Sequence, residues 1–284
     1  LQGNFPCVSR LLKKERYLRQ IGASCTMITA VSMSAQPSQP SGGRRSPNKR
    51  APKRAANRAL KALNINKATG FDRIPAAFLK RAADILDAPL THIFRHSLQC
   101  GYFPTSWKIA DVVAVYKKNN ISDPVNYRPI SLLPIVSKVF ETLVSRKVNK
   151  VFAPLLNPRQ FGFRTGHTSL DLFLSMTQTW TNAIAKGFEV RVAALDISKA
   201  FDKVWHDGLL WKLEHKFGVT GSLLAWFRSY LTGRFQRVTI NDAFSELKAV
   251  LAGVPQGSVL GPTLFLVFIN DLFDVVSNEL GVFA

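Results

Sequence analysis

Several short runs in this chain carry residue types suited to chemistry on a phosphorylated substrate. In ALDISKAFD, residues 194–202, Asp196 follows an apolar stretch and Phe201 lies five residues on. A carboxylate at the end of a buried strand is held rigidly at the sheet edge. Hard divalent cations such as Mg²⁺ take carboxylate oxygens together with substrate phosphates. Phe201, at the turn into the next element, would wall such a site, although an Asp after a strand is by itself more often a turn or helix cap. In GVPQGSVLGP, residues 253–262, glycines and a proline force a tight loop before an apolar helix. That loop presents Gln256, whose amide both donates and accepts hydrogen bonds and suits a nucleotide sugar or base. Lys117, Lys118 and Arg128 surround a hairpin built from residues 103–118 and 126–133. Basic side chains on a hairpin can clamp a triphosphate, Arg with a bidentate fork. NPRQFGFRTG, residues 157–166, interleaves Arg159 and Arg164 with Phe161 and Phe163, the composition of a single-strand-binding surface. His92, His96 and Cys100 share a helix face, but no fourth zinc ligand is near and the stripe Ile93, Phe94, Leu98 already explains the helix.

The elements that must position these groups are legible from periodicity. Pro75 opens a helix, along which Phe78, Leu79, Ala82, Ile85 and Leu86 form an apolar stripe, and a second helix runs near 89–100. Residues 109–116, IADVVAVY, read as a buried strand. Residues 135–152 place Ile135, Val139, Phe140, Val144 and Val148 on one helical face. A long helix fits 167–185, closed by Gly187. Residues 189–197 read as a core strand ending at Asp196. Helices at 208–217 and 222–232 follow, then strands at 235–241 and 244–251 flanking an Asn241-Asp242 turn, and a helix near 258–269. With no βαβ period and no internal repeat, the fold class is α+β.

The charge balance of the 284-residue chain is 38 Lys/Arg against 18 Asp/Glu, a net of +20. That implies a polyanionic partner, nucleic acid or an anionic surface. Residues 1–65 hold 13 Lys/Arg and one acid, and the remainder 25 and 17. Residues 1–65 therefore read as a disordered basic N-terminal segment, with Arg44, Arg45, Lys49, Arg50, Lys53 and Arg54 following a Ser/Gln/Pro/Gly stretch. Cys7, Cys25 and Cys100 offer no disulfide framework. No apolar run is long enough for a simple membrane span. The expectation is an intracellular protein of nucleus or cytoplasm, neither secreted nor transmembrane.

Taken in order, the runs resemble the reverse transcriptase domain of LINE-like, non-LTR retrotransposons. NKATGFDRIP (66–75) is similar to the family's opening segment, NYRPISLL (126–133) to its fingers motif and NPRQFGFRTG to its template-side segment. ALDISKAFD resembles palm motif A, and GVPQGSVLGP with FINDL (268–272) resembles motif B and its helix. The resemblance implies fingers over about 66–188 and a partial palm over about 189–284, an antiparallel sheet backed by helices, with no thumb. It implies RNA-directed DNA polymerase activity, a nucleotidyl transfer in which a DNA primer 3′-hydroxyl attacks a dNTP α-phosphate opposite an RNA template. It further implies Asp196 and the Ile197 carbonyl as ligands for two Mg²⁺ ions, with Mn²⁺ as an alternative. Phe201 becomes a gate against the ribonucleotide 2′-hydroxyl. Gln256, Gly257, Arg128 and Lys117 or Lys118 line the nucleotide pocket, and Arg159, Gln160, Phe161 and Arg164 meet the template. Asp202 is assigned to structure. The resemblance runs out at Phe283-Ala284, the first half of motif C. The two motif C aspartates fall outside, so a polymerase fragment inactive by itself is expected. The alternatives are a nucleic-acid-binding remnant without catalysis and a related polymerase such as a group II intron maturase.

Overall fold

The computed structural model describes residues 55–241, 243–275 and 280–283. The basic cluster Arg44–Arg54 and Asp242 of the expected turn lie outside the described residues. In chain order the elements are α1 (Ala55–Lys61), α2 (Ala76–Arg81), α3 (Ala83–Cys100), β1 (Ile109–Tyr116), β2 (Tyr127–Leu132), α4 (Ile135–Phe152), α5 (Ser169–Ala185), α6 (His206–His215), α7 (Gly221–Leu231), β3 (Arg234–Ile240), β4 (Ala243–Phe244), β5 (Lys248–Val250) and α8 (Gly261–Ile269). Strands and helices alternate irregularly, as the α+β reading requires.

The core is aromatic. Trp226, Phe227 and Tyr230 of α7 are fully buried together with Phe103 and with Phe140 of α4. Phe140 stacks on Phe94 of α3 at 4.5 Å, and Trp226 meets Phe103 and Phe140 edge-on at 5.4 and 5.3 Å. These are the offset and edge geometries that ring quadrupoles favour. The stripe on α4 arises as its periodicity dictates, with Ile135, Val139, Phe140, Val144 and Val148 all buried.

One strip of sheet carries the site. Its strand order is β2-β1-β3-β4, with β5 also pairing β3. β1 and β2 form the expected antiparallel hairpin, Val112 opposite Ser131 and Val115 opposite Arg128. The β1–β3 pair is parallel, Ile109 opposite Phe235 and Val112 opposite Val238. The sheet is thus mixed, not antiparallel throughout, because β1 and β3 are joined through a long, largely helical connection and not by a hairpin. Strands on both sides of residue 188 share this sheet.

Three further expectations are corrected. Residues 55–61, read as part of the disordered segment, form α1, which buries Ala56 and Leu60 in the core. The Asn57 side-chain amide donates to the Ala83 carbonyl and Asp84, so a polar residue at a buried position is satisfied by α3. The stripe drawn through Phe78 and Ile85 fails, since both are exposed. The stripe requires one continuous helix, but the chain breaks at Ala82 between α2 and α3, and the break changes the face. Residues 189–197 are not a strand. They run as exposed coil with no ladder partner among the described residues. A β-branched run becomes a strand only where a neighbouring edge accepts its hydrogen bonds. Upstream, α5 starts from a complete capping box in which Thr168 and Asp171 bond one another's backbone N–H.

Candidate functional site

The loop between β5 and α8, residues 251–260, is fixed at several points, and each fixing point has a chemical reason. Gly253 donates its N–H to the Val204 carbonyl at 2.8 Å, and its own carbonyl lies 2.7 Å from Nε2 of buried His206. Val254 N–H donates to the Phe201 carbonyl. Gly253 has φ +89°, and a Cβ there would sit 2.8 Å from the Asp202 backbone, so glycine is required both by torsion and by space. At the loop's tip Ser131 N–H of β2 donates to the Gln256 carbonyl at 2.8 Å. Gly257, φ +114°, lets the backbone pass close to the Ser131 carbonyl. The Ser258 hydroxyl donates to the Pro255 carbonyl and accepts from Gly261 N–H, which caps α8 locally.

This loop brings the motif residues together. Phe201, half-buried, stacks on Phe265 of α8 at 4.6 Å and meets the edge of Phe163 at 5.7 Å. Gln256, Asp202, Ser131, Pro129 and Arg234 line one small cleft of about 110 Å³. Arg234 is itself buried, with Nη1 donating to the Tyr230 carbonyl and Nη2 left without a partner.

Asp202, assigned to structure from the sequence, lines this cleft. Much of the residue is exposed, yet its carboxyl is partly shielded, and that desolvation raises its pKa against the opposing charge of Lys199. Between the ordinary carboxylate value and the raised one, the folded chain binds the proton more tightly than the unfolded chain does. Stability therefore falls as pH rises through that window and stays lower above it. Asp202→Asn should stabilise the protein at neutral pH, and the gain should vanish at about pH 3, where both states hold a proton. Urea unfolding at the two pH values tests this; a gain that persists at low pH would show that charge is not the cause.

The remaining residues fall into three groups. Asp196 and Ile197 lie in the exposed coil that leads to Phe201. Lys117, Lys118 and Arg128 are exposed on the β1–β2 hairpin, Lys117 bonded through its backbone to Asn126. The 157–166 segment is internally tied. Gln160 is 1% exposed and donates to the Gly162 carbonyl. Arg164 donates to the Asn157 and Gln160 carbonyls. Phe161 N–H bonds Val282, and its ring meets His167. Arg159, on the exposed side, lies over Phe273 at 5.2 Å. Arg159 and exposed Phe163 are thus open to an extended ligand, whereas Gln160 is not.

Among the described residues no three His, Cys, Asp or Glu side chains converge as a metal group requires. His96 and Cys100 do approach within 3.6 Å, exposed, with His92 stacked on His96 at 6.4 Å. Asp196 is the right donor type for Mg²⁺, but one carboxylate and one carbonyl supply too few oxygens. The described residues do not fit a two-metal centre.

Two buried residues that hold the loop were not anticipated. His206 stood out only as one of five histidines. Glu141, on α4, is fully buried. Its Oε2 accepts Val259 N–H at 2.9 Å, Leu260 N–H at 3.1 Å and the Tyr230 hydroxyl at 3.2 Å, while Oε1 accepts the Ser137 hydroxyl. The available signal was a polar row, Ser137, Glu141 and Ser145, running along the otherwise apolar buried face of an amphipathic helix.

Comparison with known proteins agrees with the motif order. The family described as reverse transcriptase (RNA-dependent DNA polymerase) matches residues 115–284. The chain is 35% identical over 217 residues to the probable RNA-directed DNA polymerase from transposon BS of Drosophila melanogaster, covering 75% of this chain and 24% of that protein. It is 37% identical over 210 residues to the probable RNA-directed DNA polymerase from transposon X-element of the same species, covering 73% and 23%. With the RNA-directed DNA polymerase from mobile element jockey, also of D. melanogaster, it shares 35% over 213 residues, covering 74% and 23%. The chain spans about a quarter of the length of these relatives.

Proposed function

Because the chain belongs to the reverse transcriptase (RNA-dependent DNA polymerase) family, we propose that it serves RNA-directed DNA synthesis in a non-LTR retrotransposon. Its partners on this reading are an RNA template, a DNA primer and dNTPs, encountered in the nucleus or cytoplasm. Among the described residues no helix is long and apolar enough to cross a membrane. The observation that carries the reading is the joining of the Phe201–Val204 segment to Gly253 and Val254 by backbone bonds, with Asp202 and Gln256 lining one cleft.

In this assignment Phe201 excludes a 2′-hydroxyl by bulk, and Gln256 with Gly257 bounds the nucleotide. Arg128, with Lys117 or Lys118, offers cationic donors to the triphosphate from the hairpin. Arg159 and Arg164, with Phe161, form the template side, Arg159 being the exposed cation among them, while Gln160, being buried, only shapes the segment behind them. Asp196 with the Ile197 carbonyl would give Mg²⁺ or Mn²⁺ only part of its shell. Fingers over 66–188 and palm over 189–284 complete the proposal, with α1 added to the fingers side.

Primer extension by the full-length protein, on an RNA template with a DNA primer, tests the function. The expected result is dNTP incorporation that falls by about 10²-fold or more in Asp196→Asn, the scale on which loss of one electrostatic active-site group registers. Incorporation unchanged in Asp196→Asn would remove Asp196 from the site. A second reading, nucleic-acid binding without chemistry, is favoured by the exposed position of Asp196 and by the lack, among the described residues, of a group of three His, Cys, Asp or Glu able to hold a metal. Salt-sensitive RNA binding with no incorporation by the wild type would select it.

A further inference from the structure

The loop that carries Gln256 is anchored at its α8 end by a charge that no motif reading assigned. The groups that meet Glu141 Oε2 are two consecutive backbone N–H donors, those of Val259 and Leu260, immediately before the first turn of α8. Helix starts leave such donors unpaired and carry positive partial charge. Here Ser258 takes the Gly261 N–H, and the Val259 and Leu260 N–H groups go to a carboxylate delivered from α4. The Ser137 hydroxyl occupies Oε1, and the Tyr230 hydroxyl, whose burial beside Glu141 holds it protonated well above the usual tyrosine range, adds a third donor to Oε2. Lys138, also on α4, has its pKa lowered by burial, an effect that the Glu141 charge partly offsets.

A buried carboxylate costs a large desolvation free energy unless its lone pairs are filled. This one is filled chiefly by a loop 118 residues away in sequence. A purely structural carboxylate would not need to end on the segment that presents Gln256. We propose that Glu141 is a positioning residue: through the Val259 and Leu260 amides it holds the 253–260 loop so that Gln256 and Gly257 keep their place beside Phe201. The proposal rests on the nucleotide-pocket reading of that loop.

The test compares Glu141→Asp, Glu141→Ala and Glu141→Gln in the full-length protein. Glu141→Asp keeps the charge but withdraws it by one methylene. Glu141→Gln keeps the length, leaves one oxygen for the three donors and turns its amide toward Ser137, whose hydroxyl can accept. Hydrogen exchange of the 254–261 amides should accelerate at least tenfold in Glu141→Asp and further in Glu141→Ala, with amides of α1 and α3 little changed. Glu141→Gln should restore most of the protection. In primer extension the KM for dNTP should rise at least fivefold in Glu141→Asp while kcat falls less, and Glu141→Gln should remain within a few-fold of wild type. Exchange that accelerates uniformly across the fold would overturn the proposal and leave a structural residue. Local acceleration with an unchanged dNTP KM would overturn it equally. Wild-type protein that incorporates nothing would mark failure of the functional reading, which the exchange arm distinguishes because it needs no substrate.

Discussion

Trp226→Ala lowers the unfolding free energy by about 3–5 kcal/mol, the usual cost of emptying a large aromatic site. Trp226 is fully buried, and its ring touches elements from three parts of the chain. It packs edge-on to Phe103 and Phe140 and nearly parallel to Tyr230 at 5.7 Å. Its indole N–H also donates to Ser97 of α3, whose own hydroxyl donates to the Tyr102 carbonyl. Truncation therefore leaves both a cavity and a hydroxyl short of a partner. Against a typical total of about 5–15 kcal/mol, the variant is only marginally folded at 37 °C. Trp211, on α6 and 48% exposed, is the control, and Trp211→Ala should cost under about 1 kcal/mol. Denaturant unfolding followed by circular dichroism separates the two. Equal losses would mean that the packing around Trp226 is not as described.

The second large effect falls on function and not on the core. Gly253→Ala should cut dNTP incorporation by about 10²-fold, because a displacement of roughly 1 Å at a reacting constellation is worth that much. A Cβ at residue 253 meets the Asp202 Cα and carbonyl at 2.8 Å and the Phe201 carbonyl at 2.9 Å, all backbone atoms that cannot rotate away. The positive φ adds strain of about 1 kcal/mol or more for any other residue. The loop must back off, and the bonds to Val204, Phe201 and His206 are lost together. Gly187, also at positive φ but with open space around its Cβ position, separates strain from collision. Gly187→Ala should lower stability without a comparable loss of incorporation. If both variants polymerise normally, the loop does not position the nucleotide.

The elements legible in the sequence were those whose cause is local. The 135–152 stripe, the Gly187 stop after α5 and the β1–β2 hairpin each follow from periodicity or turn chemistry, and each is present. The proximity of Phe201 to the GVPQG loop followed from motif order by resemblance. What escaped depended on partners distant in sequence. Residues 189–197 have strand composition and no neighbouring edge to pair with. Phe78 and Ile85 look like core on one continuous helix, but a one-residue break at Ala82 puts them on separate helices, where both are exposed. Gln160 sits in a segment that reads as a basic aromatic surface, yet bonding within that segment buries it. Glu141 and His206 look like ordinary polar residues on helices, and only the fold shows that each ends on the same loop. Pattern reports what a residue does along its own element, and these residues act across elements.

The pairing of β1 with β3 bears on how the protein is made. Phe103 N–H bonds the Ser229 hydroxyl, 126 residues later, and the parallel strands on either side of this contact join only after both have formed. Closing so long a loop adds little free-energy cost, since each doubling of length costs only about 0.6 kcal/mol, but it slows folding markedly. As the polypeptide leaves the ribosome, the β1–β2 hairpin and α4 can form early. The aromatic faces of Phe94, Phe103 and Phe140 then have no α7 to cover them until Tyr230 has emerged. For that interval the nascent chain exposes its stickiest surface, and its yield in the cell depends on how well that surface is shielded while the second half is translated.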